Sequence, residues 1–282
     1  MADSISKFNA ITCLHKHYEI NDWGHRIIDV NYTWYSMGIK EEEVSKLSDF
    51  IDKFNMIPNI CIDVANGYTD DFVNFCRKVR DKFGNVPIIM AGNVCTPEMV
   101  QELILHGGVD IVKIGIGPGS ACTTRLKTGV GYPQLSAILE CAHAAHGLTN
   151  KSGNGGLICA DGGCRVPADV VKAFAAGADF VMIGGMFAGT DECEGVREFG
   201  GFKFYGMSSH EAQKKHGGIR DYTASEGRVI NVPHKGPAEN IMTDILGGIR
   251  SACAYVGANS LEALPKCAEF TVVNRVHFNN KL

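Results

Sequence analysis

No apolar run in these 282 residues approaches the roughly 20 that a membrane-spanning helix needs. The opening residues, "MADSISKFNAIT", lack the basic start and long apolar stretch of a secretory signal. Lysine- or arginine-rich runs are missing too. With 27 basic against 31 acidic side chains and a net charge of −4, a nucleic-acid-binding surface is excluded. Paired CxxC spacings are absent although there are 11 cysteines. Several of these lie inside apolar runs, as Cys61 and Cys159 do, which argues against a disulfide scaffold or a zinc module. A reducing, cytoplasmic setting is expected, with most thiols acting as small buried hydrophobes.

What the chain does have is apolar content (45%), 33 glycines and a repeated strand-then-helix rhythm. "NICIDVAN" reads as a buried strand. A helix follows it, capped by Thr69, with apolar positions at Phe72, Phe75, Cys76, Val79 and Phe83, and stopped by Gly84. "VPIIMAGNV" is the next strand, and Thr96-Pro97-Glu98 starts the next helix. "VDIVKIGIG", "GLICADGG" and "ADFVMIGGMFAGT" continue the series, with a helix from Pro167 to Ala176 before the last. Upstream, "AITCLHK" and "TWYSMGI" are strands, and Glu41 to Phe54 is a helix. Such alternation implies a parallel sheet. Because every strand ends in glycine or polar residues, a (β/α)8 TIM barrel is favoured over an open doubly wound sheet. Seven strands can be counted, so one of eight is missing. The whole of 1–282 is expected to form one barrel domain. Asp191 to Lys235 is read as a long structureless flap, and "PAENIMTDILGGIRSACAYVG" as the closing helix.

The segment "IGIGPGSACTTRLKTGVGYP" raises the chemical question. Glycines crowd around Cys122 more densely than a turn requires, so something must approach this backbone closely. Arg125 and nearby backbone donors are expected to lower the thiol's pKa from about 8.5, making a nucleophile. Carbonyls of the same turn could equally chelate a monovalent cation. "ADGG" (Asp161 to Gly163) and "IGG" (Ile183 to Gly185) end the last two strands, where barrels commonly bind phosphate. Asp161 would suit the hydroxyls of a ribose.

"KIGIGPGSACTTRLKTGVGYPQLSA", together with "ADGG", "FVMIGGMFAGT", "FYGMSS" and "ASEG", resembles the IMP dehydrogenase/GMP reductase family over nearly the whole chain. "FYGMSS" and "YTASEG" resemble the reductase branch. There is also no room between the early strands for the regulatory pair that interrupts most of the dehydrogenases. The resemblance implies NADPH-dependent reductive deamination of GMP to IMP and ammonia. IMP dehydrogenation is the alternative, and a purine-nucleotide-binding barrel without turnover a second one.

Residue by residue, the resemblance implies that Cys122 attacks C2 of the purine, while Thr124 and the flap carboxylate Glu226 relay the proton. Nucleotide contacts would be Ser120, Asp161, Gly162, Gly163, Gly184, Gly185, Gly206, Met207 and Ser208, completed by Thr223, Ala224, Ser225, Glu226 and Gly227 of the flap. Carbonyls of Gly117, Gly119, Cys122 and Arg125 would hold potassium. NADPH would meet Lys16, Asp63, Val64, Ala65, Ile116, Gly117, Met207, Tyr222 and Thr223, and the turn Ser251, Ala252, Cys253, Ala254. A homotetramer is implied, with Cys95 and Cys141 left as packing residues. Two departures stand out. Thr223 lies where the family pattern has arginine. Met1 falls inside the expected first helix, so the first strand is absent. A gap is therefore expected between the strands holding Cys13 and Met182, and the chain as written should be poorly soluble and inactive alone.

Overall fold

Seven parallel strands follow one another in chain order across one sheet. They are β1 (Thr12–Leu14), β2 (Thr33–Met37), β3 (Ile60–Asp63), β4 (Ile89–Val94), β5 (Ile111–Ile114), β6 (Leu157–Asp161) and β7 (Phe180–Met182). The computed structural model describes residues 1–23, 29–195, 197–198, 201–206, 209, 211–212 and 225–273. Helices on the outside link the strands: α2 (Glu41–Phe54), α3 (Asp70–Phe83), α4 (Pro97–Leu105), α6 (Gln134–Ala145) and α7 (Pro167–Ala175). They follow α1 (Ala2–Ile5), and the short α5 (Thr124–Thr128) lies among them. The long α8 (Ala238–Val256) and the short α9 (Leu264–Cys267) complete the chain's helices among the described residues.

Local chemistry explains the helix ends. Thr69 accepts the Phe72 N–H and Gly84 closes α3, as its sequence demands. α7 stops at Ala175, one residue short of expectation, because Ala176 already serves as its cap.

Side chains alternate along each strand, and this period of two creates two cores. Trp34, Cys61, Met90, Ile111 and Cys159 face inward, joined by Cys13, Phe180 and Met182. Their neighbours Ile60, Ile62, Ile89, Ala91, Val112 and Ile158 face outward against the helices. Cys13 and Met182 share the inner cluster, but β1 and β7 are the two ends of the sheet and do not pair. The expected opening therefore lies where the missing strand would run.

Beside this edge, α1 and the turn Ser6–Phe8 put Met1, Ile5 and Phe8 into an apolar cluster with Met242 and Ile245 of α8. The segment is helical and supplies no strand, in keeping with its length.

The stretch after Gly189 is not structureless. It carries a three-stranded antiparallel sheet of β8 (Arg197–Glu198), β9 (Gly201–Tyr205) and β10 (Val229–Val232). Phe202, Phe204 and Tyr205 of β9 pair with Val232, Ile230 and Val229, and alternation across such a wide sequence gap is what hid the sheet.

Candidate active site

Strand β5 ends at Ile114, and the glycine-rich loop after it carries Cys122 to the strands' C-terminal face. The loop is pinned from outside by the flap. Thr123 N donates to the Glu226 carbonyl at 2.8 Å, and Arg228 N donates to the Ala121 carbonyl at 2.9 Å. Cys122 and Gly227 form an antiparallel bridge between these bonds. The Arg228 guanidinium also donates to the Ser120 carbonyl at 2.9 Å.

This local ladder sets the chemistry. Thr124 Oγ1 donates to Glu226 Oε2 at 2.7 Å and lies 3.1 Å from Cys122 Sγ. Since the hydroxyl proton points to the carboxylate, the threonine oxygen is free to accept from the thiol. The result is a directed chain, S–H to O–H to carboxylate. Arg125 plays a different part from the one expected. Its guanidinium donates to the carbonyls of Ile116 and Tyr132, bracing the glycine loop rather than the thiol.

A second charged group lies inside the barrel mouth. Lys113 is 3% exposed and pairs with both Asp63 and Asp161, the latter at 2.9 Å. Burial alone would depress the lysine, but the two carboxylates outweigh it and hold its pKa well above the usual value. Burial likewise pushes the Asp63 carboxyl up, and the Lys113 charge and hydrogen bond more than reverse that, so it ends lowered. Asn93 Nδ2 also donates to Asp161 Oδ2 at 2.9 Å, while Asn93 Oδ1 is buried without a partner among the described residues. Sequence reasoning missed Lys113, Asn93 and Arg228. A lysine in the apolar run "VDIVKIGIG" was the one visible signal.

Comparison with known proteins settles the lineage. Residues 35–279 match the family model described as IMP dehydrogenase / GMP reductase domain. The chain belongs to this family. It is 50% identical to a GMP reductase of Yersinia enterocolitica, covering 99% of this chain and 82% of that protein. GMP reductase 1 of Rattus norvegicus is 51% identical over 98% of this chain and 81% of its own length. A solved structure of a cysteine-to-alanine variant of Trypanosoma brucei GMP reductase, in complex with guanosine 5′-monophosphate, superposes with a TM-score of 0.73. It is 32% identical, covering 83% of this chain and 48% of that longer one. The seven-stranded, TIM-barrel-like fold is thus a family fold lacking one strand.

In this family member, the residues expected to hold ligands fall into three groups. Ser120, Cys122, Thr124, Gly206, Ser225, Glu226 and Gly227 are gathered at the loop–flap ladder. Gly206 N donates to the Arg228 carbonyl at 3.4 Å, and Ser225 Oγ to the Gly227 carbonyl at 3.3 Å. Gly162, Gly163, Gly184 and Gly185 lie at or just beyond the ends of β6 and β7; a side chain at Gly185 would meet Ser120 Oγ at 2.6 Å, and Gly162 backs onto Pro118 and Gly119. Beyond β1, Lys16 Nζ donates to the Asp63 carbonyl at 3.4 Å. Val64 exchanges backbone hydrogen bonds with Gly92 and Asn93 there, with Ala65 next in the chain.

Ser251, Ala252, Cys253 and Ala254 are not gathered with these. They form the last turns of α8 rather than a loop turn, and Cys253 packs with Ala175 and Leu264. Met207, Ser208, Tyr222, Thr223 and Ala224 lie outside the described residues. Cys95 and Cys141 are buried packing residues; burial pushes the Cys141 thiol up to about 12.

Proposed function

We propose that this chain reduces GMP to IMP and ammonia at the expense of NADPH. The hydrogen-bonded chain from Cys122 through Thr124 to Glu226 supports this most directly, in a sequence about half identical to GMP reductases. Cys122 Sγ attacks C2 of the guanine, and its proton passes by way of Thr124 to Glu226. The same relay then returns a proton to the exocyclic amine. The C2–N2 bond breaks, ammonia leaves, and a covalent thioimidate remains on Cys122. NADPH, when bound, would supply a hydride for C2, and Cys122 would leave as the thiolate as IMP is released.

Nucleotide phosphate meets the glycines around Gly185 and Ser120, and Asp161 turns its second oxygen to the ribose. Lys16, Asp63, Val64, Ala65, Ile116 and Gly117 take the cofactor. Asn93 Oδ1 supports a fit there, being a buried acceptor next to Val64 without a partner among the described residues, and suited to a carboxamide N–H. Potassium would sit on the carbonyls of Gly117, Gly119, Cys122 and Arg125. Gly119 and Arg125 each already accept one backbone N–H, which leaves each a second lone pair. Residues 1–282 act as one catalytic unit with 191–235 as its flap, in a cytoplasmic homotetramer.

Mixing the chain with GMP and NADPH and following loss of reduced cofactor tests the reading. Turnover only with IMP and an oxidised cofactor would replace it by the dehydrogenase. Nucleotide binding without turnover in either direction would replace it by a non-catalytic barrel. Potassium should raise the rate where lithium at equal ionic strength does not.

A further inference from the structure

The charged trio at the barrel mouth joins two ligand regions that the loop–flap ladder does not connect. Asp63, Lys113 and Asp161 end β3, the β5 interior row and β6, and they share the inward parity of Cys61, Ile111 and Cys159. Between Asp63 and Lys113 runs β4, whose Gly92 is in register with both. A Cβ at Gly92 would come within 2.6 Å of Lys113 Cβ and 2.4 Å of its carbonyl, so only a bare backbone lets the lysine cross this strand. On its other side Lys113 is in register with Cys159, two residues before Asp161 on β6, so one ammonium serves carboxylates on two separate strands.

The ammonium is 3% exposed, and bulk water cannot replace either partner. The carboxylates differ: Asp63 is 45% exposed and Asp161 23%. Each can still reach a ligand while it holds the lysine. The other donors near them are Asn93, on Asp161 Oδ2, and Lys16, which reaches only the backbone carbonyl of Asp63. Lys113 is therefore the one charge shared by both side chains among the described residues.

We propose that Lys113 is a positioning residue that couples the nucleotide and cofactor regions by dividing its hydrogen bonds between Asp161 and Asp63. This rests on the GMP reductase reading for the identity of the two ligands. When Asp63 is neutral, the lysine turns wholly to Asp161, and that carboxylate becomes a weaker acceptor for ribose hydroxyls. Asp63→Asn removes one of the lysine's two carboxylates permanently, so the shift of its hydrogen bonds to Asp161 is read in GMP affinity with no cofactor present.

The test is GMP binding by calorimetry with no cofactor present. Asp63→Asn, a substitution at the half-exposed rim, should weaken GMP about fivefold or more, the low end of the usual range of intersite coupling. The effect should persist in Lys113→Arg, which keeps the shared charge, and vanish in Lys113→Gln, completing a double-mutant cycle. Unchanged or tighter GMP binding in Asp63→Asn, in a wild-type background that binds GMP, overturns the coupling and leaves the functional reading standing. A wild-type chain that binds no GMP overturns both. Should Lys113→Gln fail to fold, the Asp63→Asn and Lys113→Arg measurements decide alone.

Discussion

Cys122 is half-buried and bonded to one hydroxyl, so its replacement should touch chemistry and little else. Cys122→Ala is expected to abolish GMP reduction while leaving GMP affinity within about fivefold, since loss of a thiol contact removes under about 1 kcal/mol. Calorimetry beside a turnover assay checks it, and measurable reduction by the variant would sink the covalent route. Glu226→Gln keeps the 2.7 Å contact possible but removes the proton acceptor. A fall of about 10²–10⁴ in kcat with little change in KM is expected, matching the usual contribution of general acid–base catalysis. Gly227 poses a steric limit, for a Cβ there would lie 2.8 Å from Ser209 N and 2.9 Å from Ser209 Cβ. Gly227→Ala should therefore displace the flap and lower kcat while far-ultraviolet dichroism stays unchanged.

At the level of elements, His146 caps the end of α6 and reaches across to Asp179, whose carboxylate also takes the Ile158 N–H of β6 at 2.8 Å. The hydrogen bond to Asp179, opposed by partial burial and helped by that carboxylate's charge, raises the imidazole pKa. A raised folded value means the stabilisation is fully present below the unfolded pKa of about 6.5 and fades as pH climbs through the folded one. His146→Gln should thus destabilise the protein at about pH 5.5 and have almost no effect at about pH 8.5. With the side chain 44% exposed, the difference should stay under about 1 kcal/mol by urea unfolding.

Elements were also where the sequence spoke most clearly. Thr69 and Gly84 frame α3 because capping is a matter of neighbours in the chain, and Cys122 and Glu226 carry local motifs. Lys113 showed only as a lysine in an apolar run: its meaning depends on Asp63 and Asp161, each about fifty residues away and reached only across the inner face of the sheet. β9 and β10 were silent because their register spans the flap.

For the whole molecule, the consequential feature is the unpaired pair of sheet ends. Among the described residues, β1 and β7 each have one strand neighbour, whereas β3, β4 and β5 have two. Amide hydrogens of Cys13 and Val181 should exchange faster than those of Cys61 and Val112, a contrast readable by hydrogen-exchange mass spectrometry. Equal protection would mean that the edges are covered in solution. Ile5, 6% exposed, anchors the N-terminal helix on α8 beside this opening. Ile5→Ala should cost about 2 kcal/mol, the low end for a buried isoleucine, by denaturant midpoint.

The ladder between flap and cysteine loop has one more consequence, and it concerns timing. Cys122 and Glu226, the proposed nucleophile and proton acceptor, stand about a hundred residues apart in the chain and are held together by the backbone bonds of Thr123 and Arg228. Each such bond is worth about 1 kcal/mol. The whole clasp is thus weak enough to open and shut on the microsecond-to-millisecond scale of lid motions. On the proposed mechanism, the thiol would have its base only while these bonds are made. Loosening the two backbone bonds, by Gly227→Ala for example, should therefore lower the rate of the proposed reaction more than it lowers GMP affinity.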